Sequence, residues 1–456
     1  MAALSVVTVS AVPGVGHRHT ALATVELVPQ AISIPRLASS TPPTTASCLA
    51  RTAHKDACYD PAQLRVAYDL APLYAAGIEG QRQSIVIVDC YGSPTIASDL
   101  ASFDKAFGLP APPSFRILRP VGAIPPFTRS GKDRAGWALE TSLDVEWAHA
   151  LAPRASILLV ETPTDEVEGT SGFPDIVRAE KLVVARRLGT VISQSFGATE
   201  ETFASFKQLD ALRSAFVAAA AAKVTVLGGS GDLGATDFES NAKTIYPYRV
   251  TSWPASDPLV TAVGGTRLNL SNNGTPVARA VAWNDTYQHT PPVPQATGGG
   301  RSIFFARPSY QSGFASVTGP HRGVPDVSMS AACSGLVDVY ASFQGQADDW
   351  ATMCGTSEAT PLFAAIVALA DQKAGHGLGP INPALYALGD APSKGLVAVT
   401  SGNNTVGFER GSSGVQTVTG FHASARYNLV TGLGTIDAAR FVPALVHEWK
   451  LLNPKG

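Results

Sequence analysis

Short continuous apolar runs alternate along this chain with longer apolar or amphipathic stretches, and the alternation predicts its elements. Residues 63–76 read as helical, 84–89 as a strand, the stretch ending before Pro153 as a helix, and 156–160 as a strand. A helix over 176–188, a strand over 190–195, a helix over 206–222 and a strand over 224–228 follow. Strands that are apolar throughout, separated by helices of this length, predict a parallel sheet covered on both faces. The fold class expected is therefore α/β, a doubly wound, mostly parallel sheet. No internal repeat or second periodic regime appears, so one domain over 55–456 is the simplest division. Residues 1–54 are rich in Pro, Thr, Ser and Ala without a sustained period and read as leader and linker.

Composition narrows the possibilities. Of 456 residues, 45% are hydrophobic and 15% charged, with a net charge of -2. The chain can bury a large core, and it carries no basic field for nucleic acid. Few ion pairs are available to be lost in acid. No run approaches the roughly 20 apolar residues of a membrane span. Residues 2–12 have the length of a signal-peptide core, though no basic residue precedes them, and a secreted, monomeric protein is expected. With five cysteines, an oxidising compartment predicts Cys48 paired with Cys58, Cys333 with Cys354, and Cys90 free in an apolar strand. Five free thiols in a cytosolic protein are the alternative.

Three segments can carry chemistry. In Trp137-Ala-Leu-Glu140-Thr-Ser-Leu-Asp144-Val-Glu-Trp147, apolar residues recur at helical spacing, which stacks Glu140 and Asp144 on one face. Two carboxyls so placed cannot both ionise cheaply and would share a proton. Such pairs are common on solvated faces, but large apolar neighbours surround this one. In Gly355-Thr-Ser357-Glu-Ala-Thr-Pro361, a small-residue turn runs into an apolar helix, with Pro361 expected in its first turn. Ser357 would stand at the N-terminus, where free N–H groups favour a developing oxyanion; the plain alternative is a helix cap. In Val224-Thr-Val-Leu-Gly228-Gly-Ser-Gly-Asp232, a strand leaves the sheet into a glycine turn bearing a carboxyl, at the end where sites form in open parallel sheets. Taken alone it is also an ordinary turn with an Asx bond.

Together these segments resemble the sedolisin (serine-carboxyl peptidase) family. The resemblance runs from about Tyr59 to the C-terminus. It rests on Trp-x-x-Glu-x-x-x-Asp at 137–144, Ser-x-Ser-Phe-Gly at 193–197, Ser-Gly-Asp at 230–232 and Val-Thr-Ala-Val-Gly-Gly-Thr at 260–266. Gly-Gly-Gly-x-Ser at 298–302, Pro-Asp-Val-Ser at 325–328, Gly-Thr-Ser at 355–357 and Thr-Gly-Leu-Gly-Thr at 431–435 continue it in order. The resemblance implies a subtilisin-like fold and an acid-acting endopeptidase for polypeptide substrates. Ser357 would be the nucleophile, Glu140 the base and acid, Asp144 its orienting partner and Asp232 the oxyanion donor. Ser193, Ser195, Gly197, Gly264 and Gly265 would border the substrate.

The chain departs from the family in two places. The calcium segments appear here as Ala398-Val-Thr400 and Ser424-Ala-Arg426-Tyr-Asn428. Both carboxylates are gone, so no bound metal or cofactor is expected, with the Arg426 guanidinium as the substitute charge. A long folded prosegment is not evident before Tyr59. Rival readings remain: an ordinary subtilisin built on the Asp89 strand, which lacks a histidine segment; a cysteine peptidase using Cys354; and a catalytically inactive sedolisin-like binding or structural module.

Overall fold

In the computed structural model the described residues are 41–51, 54–128, 131–343, 350–389, 392–410 and 414–454. The apolar run from Ser84 becomes the strand Ser84–Cys90, buried over nearly its whole length. Parallel neighbours flank it, Ser156–Thr162 on one side and Val191–Gln194 on the other. Thr225–Gly229 and Thr261–Arg267 extend the sheet beyond Val191–Gln194, and Phe115–Leu118 closes the opposite edge. Val327–Ser330 also pairs in parallel with Thr261–Arg267, and only the short Val281–Ala282 strand runs antiparallel in this eight-stranded sheet. Strands with both faces buried cannot alternate apolar with polar residues, which is why their sequences are continuous.

Alternate side chains of these strands feed two cores. Ile85, Ile87, Val191 and Leu227 point to a face covered by the helices Lys132–Leu151, Thr356–Ala374 and Ala438–Leu452. Val86, Val88, Ile192 and Val226 point to the other, covered by Phe173–Ala185, Phe206–Leu212 and Ser214–Ala221. The fold is the α/β, subtilisin-like one expected. Three boundaries differ from the sequence reading. The helical stretch 63–76 divides into Pro61–Ala67 and Ala71–Ala75, with Asp69 at φ 52 between them. The helix expected over 206–222 likewise breaks at Arg213. Pro361 lies inside its helix, beyond the first turn, because that helix already starts at Thr356. A proline there removes the N–H that would bond to the carbonyl of Ser357, and that carbonyl instead faces the Ser195 hydroxyl at 3.5 Å.

The stretch read as leader is in part structural. Thr45–Arg51 is a helix whose Cys48 is bonded to Cys58, and Thr45 donates to the Cys58 carbonyl at 2.7 Å. The segment read as a signal core lies outside the described residues. Cys333 and Cys354 form the second disulfide and Cys90 is free and buried. No helix of the described residues is long and apolar enough to cross a membrane.

Candidate active site

Three elements deliver the four sequence-singled residues to one place at the C-terminal ends of the strands. Glu140 and Asp144 lie on consecutive turns of Lys132–Leu151, both fully buried. Ser357 is in the first turn of Thr356–Ala374, half-buried where its neighbours are buried, and it opens into a cleft that Asp232 and Trp137 also line. Asp232 follows the strand Thr225–Gly229, where the chain turns out of the sheet. Its Oδ1 accepts from the Thr356 N–H at 2.7 Å and the Thr356 hydroxyl at 2.8 Å, which ties it to the start of the Ser357 helix. Gly355 is required at the junction: its φ is 120°, and a Cβ there would stand 2.5 Å from Asp232 Oδ2.

Burial dominates the electrostatics. It pushes the Asp232 carboxyl up to about 6, against the two Thr356 hydrogen bonds. Burial also holds Glu140 well above the usual carboxylate range; proximity to the Ser357 hydroxyl opposes this, and the charges of Asp89 and Asp232 reinforce it. Neither Glu140 oxygen has a hydrogen-bond partner of standard geometry among the described residues. Such looseness is usual at a site without substrate. Asp144 is raised by burial and then by Asp89 and Glu140, and its Oδ1 accepts from the Ser195 hydroxyl at 2.9 Å.

Asp89 is the site residue that sequence reasoning set aside. It ends the apolar part of its strand and faces the same side as Ile85 and Ile87, toward the Glu140 helix. Fully buried, its carboxyl is pushed up to about 7 by burial, with Thr141 opposing and Glu161 adding to the rise. A carboxyl at the end of an otherwise apolar strand was the available signal.

The residues expected to border substrate divide. Ser195 and Gly197 line the cleft, although the Ser195 hydroxyl is engaged with Asp144. Ser193 lies within the sheet between Ile87 and Leu227, its hydroxyl buried. Gly264 and Gly265 also lie within the sheet, paired with Ser328 and Met329. They are glycines for packing: a Cβ would meet Pro325 at 2.7 Å in one case and Ala331 at 2.6 Å in the other. Cys354, bonded to Cys333, offers no thiol nucleophile.

In the segments related to the family's calcium site, the Asn428 carboxamide occupies the centre of the loop. Its Nδ2 donates to the carbonyl of Ser424 at 3.1 Å and reaches those of Arg426 and Gly432 at 3.5 Å. Its Oδ1 accepts from the N–H groups of Val430 at 3.0 Å and Thr431 at 2.9 Å. The Arg426 guanidinium lies 5.7 Å from the centroid of the Phe314 ring. Among the described residues, no group of three or more His, Cys, Asp or Glu side chains is placed to hold a metal ion.

No family model matches the chain. Kumamolisin from Bacillus sp. (strain MN-32) is 32% identical over 404 residues, 87% of this chain and 65% of that protein. Sedolisin from Pseudomonas sp. (strain 101) is 27% identical over 388 residues, 84% of this chain and 60% of that one. Tripeptidyl-peptidase 1 from Canis lupus familiaris is 30% identical over 366 residues, 77% of this chain and 58% of that one. The chain thus spans less than two thirds of the length of these relatives. Among solved structures, Pseudomonas sedolisin, a serine-carboxyl proteinase complexed with two molecules of pseudo-iodotyrostatin, superposes with a TM-score of 0.68 at 25% identity. That match covers 85% of this chain and 98% of the other. The sheet order, the cleft and these relatives agree: over most of its length the chain is similar to peptidases of the sedolisin family.

Proposed function

We propose that this protein is a secreted serine-type endopeptidase that cleaves polypeptides in acid. Ser357 is the nucleophile, Glu140 the base and acid, Asp144 the partner that orients Glu140, and Asp232 the oxyanion donor. The observation that carries this reading is that a half-buried serine at a helix N-terminus and an independently delivered carboxyl line one cleft, with a buried carboxyl pair behind them whose Glu140 approaches the Ser357 hydroxyl. In the first step the Ser357 oxygen bonds to the peptide carbonyl carbon and its proton passes to Glu140. The carbonyl oxygen, now negative, accepts a hydrogen bond from the Asp232 carboxyl. Glu140 returns the proton to the departing amine, leaving an acyl ester on Ser357. Water attacks that ester, gives its proton to Glu140, and Glu140 reprotonates Ser357 as the acid product leaves.

Acid follows from the residue types. Asp232 donates only while protonated, and with its carboxyl near 6 it is protonated through the acid range. Glu140, Asp144 and Asp89 raise one another as well as being raised by burial, so no more than one of them is ionised at a time. That charge is the base. The rate is therefore expected to follow a bell in pH with an acid maximum. Asp232→Asn keeps a neutral donor at every pH; it is expected to flatten the alkaline limb and lower turnover by about 10²–10³-fold. A maximum above neutrality overturns the reading. Ser357→Ala against wild type, on unfolded protein at low pH, separates a peptidase from a non-catalytic binding module.

The chain is also proposed to need no calcium. The carbonyls that would face a cation accept the Asn428 amide, and the site offers no carboxylate, whereas calcium seeks six to eight hard oxygens including anionic ones.

A further inference from the structure

The cleft beside Ser357 holds three more carboxyls that the reaction above does not use: Glu166, Glu168 and Asp237. The first two come from the loop between Ser156–Thr162 and Phe173–Ala185, and Asp237 lies on the segment that carries Asp232. Two of them are well held. Asp237 accepts from the Ser252 hydroxyl at 2.5 Å and the Phe238 N–H at 2.9 Å. Glu168 accepts from the Thr199 N–H at 2.9 Å and the Thr202 hydroxyl at 3.0 Å. Glu166 differs: it is 3% exposed, and its Oε1 has no hydrogen-bond partner among the described residues although the side chain lines the cleft.

No ion pair to any of the three is found among the described residues. Burial pushes Glu168 up to about 9, with the Asp237 charge adding to it, and holds Glu166 well above the usual range with Glu168 and Asp237 reinforcing. A buried acceptor without a donor is unfavourable by roughly 1–3 kcal/mol. A partner with several N–H donors and a positive charge would supply the missing donor and let these carboxyls give up their protons without an uncompensated buried charge.

We propose that this pocket receives the side chain of a lysine or arginine, at the residue whose carbonyl Ser357 attacks. The inference rests on the peptidase reading. That carbonyl must stand between Ser357 and Asp232, so the side chain on the adjoining α-carbon enters the cavity those two share with Asp237 and Glu166. Trp137 and Phe196 also line the cavity, edge to face with centroids 6.4 Å apart, and offer the apolar wall along which an aliphatic stem packs while its charged end goes on to the acids. A leucine or phenylalanine would fit that wall but leave Glu166 Oε1 without a donor. An arginine brings five donors and a lysine three.

The test uses peptides identical except for arginine, lysine, norleucine or tyrosine at that residue, with wild-type protein. The kcat/KM for arginine or lysine is expected to exceed that for norleucine by about tenfold or more. In the double variant Glu166→Gln, Asp237→Asn that ratio is expected to fall toward one. Equal or better cleavage of the norleucine or tyrosine peptide by the wild type overturns the proposal while leaving the peptidase reading intact, and this holds whether or not the variant folds. If no peptide is cleaved, binding of the same peptides to Ser357→Ala is measured by calorimetry. Tighter binding of the arginine peptide then supports the acidic, cation-accepting pocket although the peptidase reading has failed, and equal binding overturns both.

Discussion

Two regions of this molecule bury carboxyls in opposite ways. Beside the Thr261–Arg267 strand, Asp326 is fully buried with every charge answered. Arg322 meets it through two nitrogens at 2.7 and 2.5 Å, the Tyr386 hydroxyl donates at 2.7 Å, and the Ala262 N–H donates at 2.8 Å. Behind the cleft, Glu140, Asp144 and Asp89 are equally buried, and none has an ion-pair partner among the described residues. A carboxyl paired in this way is a fixed strut. One without a cation is tolerated only by holding a proton, which makes it useful for chemistry and sensitive to pH.

The contrast can be broken by exchanging acids for amides. Behind the cleft, Glu140→Gln is expected to lower kcat/KM by roughly 10⁴-fold or more, because an amide cannot relay a proton. Its melting temperature at neutral pH should be unchanged or higher, since the amide needs no proton to stay buried. A variant that keeps most of its activity would remove Glu140 from the chemistry. At the strut the pattern should invert. Asp326→Asn leaves Arg322 buried without its counter-charge and is expected to destabilise the fold by about 3–5 kcal/mol, read by denaturant unfolding. Near-neutral stability in that variant would mean that the pair is not a strut.

A smaller effect sharpens the same comparison without mutation. Burial raises Asp371 and Glu180 to about 8 and Asp89 to about 7, so between about pH 4 and 8 the folded state holds more protons than the unfolded chain. The stability these groups lend is present below pH 4 and is lost as pH rises through their folded values, by about 1.4 kcal/mol per pH unit for each group. The melting temperature should therefore be highest in acid and fall toward pH 8. A maximum at neutrality would show that these buried acids are compensated in some other way. The smallest effect concerns Asn428. Chelator should leave the wild-type melting temperature unchanged, whereas Asn428→Asp, which replaces the amide donors by an anion facing the carbonyls of Ser424 and Arg426, should melt lower and recover partly with added calcium. A chelator-sensitive wild type would overturn the calcium-free reading.

Much of the fold was legible because its signals are local. Continuous apolar runs identified the strands, the spacing of Leu139, Leu143 and Trp147 identified the helix that carries Glu140 and Asp144, and small residues before an apolar stretch put Ser357 at a helix start. Cysteine spacing was enough for both disulfides. Period and turn chemistry act over a few residues, and a sequence displays them directly.

What tertiary structure alone decided depends on elements far apart in the chain. Gly264 and Gly265 belong to a substrate-like motif, yet their missing side chains make room for Pro325 and Ala331 in the neighbouring strand region. Pro361 was expected in the first turn, and its absent N–H instead leaves the Ser357 carbonyl facing Ser195, more than 160 residues away. Asp89 figured in the sequence only in the rival subtilisin reading, until the Glu140 helix was laid across its strand. Glu166, Glu168 and Asp237 carry no motif at all. Their shared cleft exists only because two loops leave the C-terminal ends of strands that are not neighbours, and a carboxyl's protonation is set by which groups and how much solvent surround it, neither of which a linear spacing contains.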